Sequence, residues 1–514
     1  MAVGISRRDL VRSVALGTGG LLAGCTSTSQ ARPPSATTRV TQPPPDWSAL
    51  GRSLAGDLVR PGDNGYETGR LLFDPRFDAS RPAGIAYCAG PADVAECLRF
   101  ARLSGVPVTP RSGGHSFAGY STGPGLVIDV TRMNTVSDVG SGRARVGAGT
   151  RLVDLYTALD GHGVTVPGGS CPTVGVAGLA LGGGIGVVSR AYGTLSDNVA
   201  ALRIVTPDGI VRDCDAEREP DLFWACRGGG GGNFGVVTEF TFTTHQAPEP
   251  VLFFLNWPWR AAARVISAWQ DWAPAAPDQL WSNLHALSGP EGPTLQVGGT
   301  WLGTESGAAE QISRLVHQVG SSPSGSPFRT PYLRAMMIEA GCGDLSAAQC
   351  HLPAQDPAGR LARESEFARS HIVNRRLSAD AVAAIIAAVE GRQGIGGGGE
   401  GGIALDALGG AVNRVAPGAT AFVHRDGLFL AQFTTTWTAA ATPDVVARQQ
   451  DWLRAFHTSM APHASGRAYQ NYLDPELTDW RRAYYADNYP RLLDVQRRYD
   501  PERLFCLPQG IGAP

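Results

Sequence analysis

The stretch Pro110-Arg-Ser-Gly-Gly-His115-Ser-Phe-Ala-Gly-Tyr-Ser121 sets one imidazole on a backbone almost stripped of side chains. Such a segment builds no core. Either the chain runs close past something large and flat, or the segment is a simple turn. Two more glycine-rich loops share the character. Pro167 to Gly186 carries Gly168-Gly-Ser-Cys171, and Arg227 is followed by five glycines, Asn233, Phe234 and Gly235. Together the three loops offer runs of unobstructed backbone N–H groups, the usual means of holding a diphosphate. A nicotinamide-type Rossmann site fails on context. Its G-x-G-x-x-G should follow the first strand, open a helix and meet an acidic residue about 20 residues on, whereas here the glycines are spread over three distant loops. A fourth run, Gly396 to Gly402, reads as a plain loop.

The elements that must position these loops follow from hydrophobic spacing. Ile85–Cys88, Val106–Thr109, Leu126–Val130, Val199–Thr206 and Gly235–Thr243 read as strands. After Pro91, residues Val94, Cys97, Leu98 and Ala101 share one helical face. Arg151 to Gly161 repeats that spacing and ends on glycine. Pro248 and Pro250 mark a boundary. Beyond it, strands are expected at Leu252–Trp257, Leu295–Leu302 and Thr420–Trp437, with helices near Ala261–Trp272 and Ser306–Val319. Ser321–Pro331 and Gly391–Gly402 read as surface loops. Two α+β domains result, the second offering a sheet as one wall of a cleft.

A chain of 514 residues is long for one domain. Its 66 glycines are about twice what usage of roughly 7% gives, and their clustering points to local backbone demands. A formal net charge of -2 gives no reason to expect nucleic acid or a polybasic membrane patch. No His/Cys cluster has zinc spacing, so no metal is expected. Arg7-Arg8 before a short apolar run resembles a twin-arginine export signal over residues 1–25, and Leu22-Ala-Gly-Cys25 a lipoprotein processing box. An ordinary signal cleaved elsewhere is the alternative. Residues 26–48, rich in Ser, Thr and Pro, read as a tether. In an exported chain Cys342 and Cys350 are the closest pair with a loop suited to a disulfide.

Arg111-Ser-Gly-Gly-His115, Gly168-Gly-Ser-Cys171, Tyr469-Gln-Asn-Tyr472 and Tyr499-Asp-Pro501 resemble the berberine bridge enzyme-like flavoproteins of the vanillyl-alcohol oxidase/p-cresol methylhydroxylase (PCMH) superfamily. The resemblance implies a two-domain α+β fold. A PCMH-type FAD domain would span 77–247, and an α+β substrate domain with an antiparallel sheet covered by helices would span 248–465. A C-terminal segment, 466–511, would return to the FAD domain. It further implies FAD bonded to His115 and to Cys171, both suited to attack an electrophilic ring as neutral imidazole and thiolate. From the first loop Arg111, Ser112, Gly113, Gly114, Ser116 and Gly119 would line the cofactor. The second would add Gly169, Thr173, Val174, Gly175, Gly178, Gly182, Gly183 and Gly186, with Gly235, Val237 and Asn471 completing the site.

By the same resemblance Tyr472 is the base that takes a hydroxyl proton from an alcohol or sugar. Gln432 faces the reactive edge and is within reach of Tyr472, and Val174 admits O2, favouring an oxidase over a dehydrogenase. A phenol has a pKa of about 10, so ionising Tyr472 needs help from its surroundings. His424 and Arg425 belong to a shared motif without a catalytic role. Three positions depart from the pattern. Ile185 stands where some relatives have a second tyrosine, Leu179 where a histidine is common, and Tyr485-Ala486 where Tyr-Gly is usual. They leave open a dehydrogenase with the same flavin, or a tethered flavin-containing protein of weakened activity.

Overall fold

The computed structural model describes residues 44–513. The expected export signal, Cys25 and the tether up to residue 43 lie outside the described residues. The last part of the expected tether instead enters the helix Trp47–Ser53, whose first turn is capped by Asp46 accepting from the Ala49 N–H at 2.9 Å.

In the first half, β1 (Asp57–Val59), β2 (Gly84–Tyr87), β3 (Val108–Arg111) and β4 (Leu126–Asp129) form a sheet ordered β1-β2-β4-β3, with β2, β4 and β3 parallel. The crossover from β2 to β3 is the helix Pro91–Ser104. Pro91 begins it where no N–H is needed, Gly105 at φ +64° ends it, and it buries Val94, Cys97, Leu98 and Ala101. Next come β5 (Val136–Gly140), β6 (Arg143–Gly147), the short β7 (Val164–Thr165), β8 (Val199–Val205), β9 (Val211–Cys214) and β10 (Val236–Thr243). All but β7 make an antiparallel sheet ordered β5-β6-β10-β8-β9. In β10, Phe240 and Phe242 are fully buried while Glu239 and Thr241 turn to the other face, the period of two expected of a strand. β11 (His245–Gln246) returns to pair with β7.

The second half is one antiparallel sheet. Its strands are β12 (Val251–Asn256), β13 (Leu280–Gly289), β14 (Gly292–Trp301), β15 (Phe328–Arg329), β16 (Ser365–Val373), β17 (Gly401–Ala407) and β18 (Phe429–Trp437), ordered β15-β12-β14-β13-β17-β18-β16. One face buries Phe253, Leu284, Val297, Ile403, Phe429 and Phe433 beneath the helices Ala262–Ala275, Ala379–Gly391 and Pro443–Met460. The opposite face is polar. Register puts Gln432, Ala404, His285, Gln296 and Asn256 in one row across β18, β17, β13, β14 and β12. The next row runs Leu430, Asp406, Asn283 and Gly298. The C-terminal segment returns to the first half, where Tyr484, Leu492, Val495 and Phe505 join the core of the first two sheets.

Cys342 and Cys350 form a disulfide with Cα atoms 5.8 Å apart. Two expectations are corrected. The strand expected over Thr420–Trp437 begins only at Phe429. Residues 420–426 form a buried irregular turn, because the Arg425 guanidinium pairs with Asp197 at 2.6 Å and His424 Nε2 lies 2.9 Å from Gln470 Oε1. The expected loop Gly391–Gly402 gives up Gly401 and Gly402 to β17. Its turn is confined to Gly396–Gly399, all at positive φ.

Ala486, the departure from Tyr-Gly, has φ +41° and ψ -125°, a conformation that favours glycine. Ala486→Gly is therefore expected to raise stability by about 1 kcal/mol, the relief of strain exceeding the added unfolded-state entropy. A melting curve that stays put or moves down would show that Ala486 is not strained.

Candidate active site

Arg111 and Asp129 are register partners at the carboxyl ends of β3 and β4, the edge where parallel strands present ligands. Their buried ion pair, 2.5 Å from Nε to Oδ2, fixes the point at which the first glycine loop leaves the sheet. Arg111 Nη1 is buried without a partner, one guanidinium donor left over for a ligand. The first loop then meets the second backbone to backbone. A Cβ on Gly113 would overlap the Gly175 amide, and one on Gly175 would overlap Ser112. Glycine at both positions is what lets His115 and Cys171, 56 residues apart in sequence, open onto one cavity.

That cavity has a volume of about 520 Å³. Its walls take Arg111, Ser112, Gly113, Gly114, His115 and Ser116 from the first loop and Gly169, Cys171, Val174, Gly175 and Gly178 from the second. Gly235 comes from the third and Val237 from the start of β10, Asn471 and Tyr472 from the C-terminal segment, and Gln432 from β18. Gly178 has no atom within 4 Å of a would-be Cβ, so a side chain there would project into the cavity itself.

Five expected residues lie off the wall. Gly119 packs against Phe77, Gly183 against Phe422, and Gly182 against Asn471, while Gly186 meets the Gly168 carbonyl. These glycines permit close packing behind the cavity and do not line it. The fifth, Thr173, is buried behind the wall with Oγ1 2.8 Å from His115 Nε2.

His115 is stacked on Phe73, with ring centroids 4.2 Å apart. Its ring is open to the cavity but remote from bulk water. Burial first, and the Arg151 charge second, lower its pKa to about 3, so the imidazole is neutral. The Cys171 thiol also faces the cavity. Burial pushes it up to about 11, partly countered by hydrogen bonds from the Thr173 backbone and hydroxyl. Tyr472 lies edge-on to Phe117 and Tyr469, at centroid separations of 5.4 and 5.1 Å, and packs against the small apolar cluster that contains Tyr469 and Phe422. Burial, then the Asp406 carboxylate, raise its pKa well above 10, with Tyr469, Glu366 and Cys171 acting in the same direction.

No hydrogen bond joins Gln432 to Tyr472 among the described residues; they share the cavity wall only. Tyr469 is a brace. Its Oη accepts from the Gly184 N–H at 2.8 Å and from Asn471 Nδ2 at 2.9 Å, while the Asn471 amide also donates to the Leu179 carbonyl at 3.0 Å.

Sequence reasoning missed the acidic end of the site. Glu364 and Glu366, flanking the start of β16, and Asp74 reach the same wall. Burial pushes Glu366 up to about 8, with Glu364 and Asp74 adding to the effect. Asp406, in β17 beside Leu430, is pushed up to about 7 by burial alone and has no hydrogen bond or ion pair among the described residues. Nothing in Leu405-Asp-Ala-Leu408 marks this carboxylate. Only strand register brings it to Tyr472.

One unpartnered guanidinium nitrogen, glycine cradles at three loops and two nucleophiles facing the cavity suit a long ligand with a diphosphate and a flat ring, and so fit FAD. Comparison with known proteins agrees. Residues 82–215 match the FAD binding domain family, and residues 468–512 match the family described as berberine and berberine like. An uncharacterised FAD-linked oxidoreductase of Bacillus subtilis (strain 168), YgaK, is 31% identical over 466 residues, covering 89% of this chain and 97% of that protein. A chitooligosaccharide oxidase of Gibberella zeae is 29% identical over 453 residues, 84% of this chain and 87% of its own. The solved structure of Physcomitrella patens BBE-like 1 superposes with a TM-score of 0.82 at 28% identity, covering 91% of this chain and 99% of that one. The chain belongs to the berberine bridge enzyme-like FAD-linked oxidoreductases of the PCMH-type superfamily.

Proposed function

We propose that this chain is an exported oxidase whose FAD is bonded through its 8α-methyl to His115 and through ring carbon 6 to Cys171. It oxidises a CH–OH group of a carbohydrate or secondary metabolite and passes the electrons to O2, releasing H2O2. The observation that carries this reading is the convergence of two recessed nucleophiles from distant loops on a cavity whose other end holds Tyr472, Gln432 and acidic side chains. Export rests on Arg7-Arg8 and the apolar run that follows them.

Bound FAD supplies a two-electron, hydride-accepting centre. Arg111 and the loop N–H groups would hold its diphosphate. The hydroxyl proton is the protein's task. Tyr472 is a neutral phenol, so it accepts a proton only by giving up its own. Asp406, the largest charge acting on it, is the acceptor suited to receive that proton. Gln432 orients the hydroxyl from the sheet. On the same sheet face as Gln432, its row carries His285, Gln296 and Asn256, neutral donors and acceptors, burial keeping His285 uncharged, as suits a substrate rich in hydroxyls. A carbohydrate substrate is also named for the chitooligosaccharide oxidase to which the chain is similar. Val174, compact and next to the Cys171 loop, leaves room for O2.

A peroxide-coupled screen of oligosaccharides and small alcohols tests the reading. Peroxide with at least one of them is expected, whereas anaerobic bleaching without aerobic peroxide would make the protein a dehydrogenase. With any such substrate, kcat/KM should rise with pH through about 7, because Asp406 accepts a proton only when ionised and its carboxyl titrates there. Asp406→Asn should lower kcat/KM by about 10²-fold and abolish that limb. A variant that keeps the limb would remove Asp406 from the relay.

A further inference from the structure

Thr173 is fully buried, yet its hydroxyl touches one expected tethering residue and acts on the other. Oγ1 is 2.8 Å from His115 Nε2, and the hydroxyl and backbone of Thr173 hold the Cys171 thiol down against the effect of burial. Among the described residues His115 Nδ1 has no protein partner. A threonine hydroxyl has one proton to donate and lone pairs to accept with, so it can serve both neighbours at once.

We propose that Thr173 is the positioning residue for cofactor attachment. Its oxygen accepts the Nε2–H of His115, fixing the tautomer in which Nδ1 presents its lone pair, and its proton is donated to Cys171 Sγ, favouring the thiolate. This rests on the double-tether reading above. The tautomer matters because the two imidazole nitrogens are distinct, and the one that holds the proton cannot attack. The thiolate matters because it, not the thiol, is the nucleophile. At His115 the Nδ1–C8α bond forms as one proton leaves the 8α-methyl group and one leaves the imidazole. Two electrons enter the ring, and O2 then takes two electrons and two protons to become H2O2. At Cys171 the Sγ–C6 bond forms with loss of the thiol proton and the C6 hydrogen, and O2 again removes two electrons and two protons. No other oxidant is needed.

The test compares wild type, Thr173→Val and Thr173→Ser as purified, by the mass of the intact chain, by the masses of the peptides carrying His115 and Cys171, and by fluorescence of the denatured band. Wild type is read first. If its flavin is fully extractable by acid, the double-tether reading itself fails. With wild type doubly attached, Thr173→Val is expected to bind FAD with at least a tenfold smaller doubly attached fraction, while Thr173→Ser, which keeps the hydroxyl, attaches as wild type does. Full attachment in the valine variant overturns the proposal. So does loss of attachment in a serine variant that melts like wild type. If the valine protein does not accumulate, Thr173→Ala against Thr173→Ser decides by the same criterion.

Discussion

Replacing His115 and Cys171 together with alanine is expected to convert a pigment that survives acid and detergent into one that washes out completely. Each single variant should keep its flavin on the denatured chain through the remaining bond. In the double variant the fluorescence of the denatured band falls to background. The cavity should still take FAD, because its glycine walls, the Arg111 guanidinium and the third loop do not depend on either side chain. Stability then changes in kind. A tethered cofactor contributes independently of free FAD, whereas a dissociable one contributes RT ln(1 + [L]/Kd), about 2.7 kcal/mol at a hundredfold excess over Kd. The melting temperature of the double variant should therefore climb with added FAD while that of wild type does not. Pigment that stays on the denatured double variant would mean that some other residue is the anchor.

The loops behind this prediction were legible because glycine reports backbone geometry directly. Gly113 and Gly175 are required by an approach too close for any Cβ. The same signal misled at Gly119, Gly182, Gly183 and Gly186, where the close neighbour is Phe77, Asn471, Phe422 or a carbonyl and not the cavity. A one-dimensional pattern tells that a side chain is excluded, not what excludes it. The strands around the flavin loops fell within a residue or two of expectation, since each is a short apolar run with a glycine or proline at its edge. The second sheet was harder to read. β13, Leu-Trp-Ser-Asn-Leu-His-Ala-Leu-Ser-Gly, alternates, but no strand was expected there, because Asn283 and His285 on its polar face break up the apolar run. β17 opens with two glycines and was taken up by the turn before it. The acidic groups Asp406 and Glu366 were invisible for the same reason: the cross-strand register that brings them to the site is a long-range property, and a buried carboxylate looks like an exposed one in sequence.

Tyr472→Phe carries the second large effect. The variant should keep its colour and both bonds to the cofactor, because the phenol oxygen of Tyr472 makes no hydrogen bond among the described residues. Its ring contacts with Phe117 and Tyr469 survive the change. Its melting temperature should match that of wild type. What is lost, on the proposed relay, is the group that passes the hydroxyl proton on toward Asp406, and proton transfer by a positioned side chain contributes about 10²–10⁴ in rate. Anaerobic reduction of the flavin by substrate, followed by stopped flow, should slow by that factor, equivalent to about 3–5 kcal/mol of barrier. Its reoxidation by O2 should be unaffected. The pH limb near 7 should vanish too, since without the phenol hydroxyl no proton can be handed on to Asp406. Reduction at the wild-type rate in the phenylalanine variant would detach Tyr472 from the chemistry and leave Asp406 to act on the substrate directly, a possibility separated by whether Asp406→Asn alone still abolishes the limb.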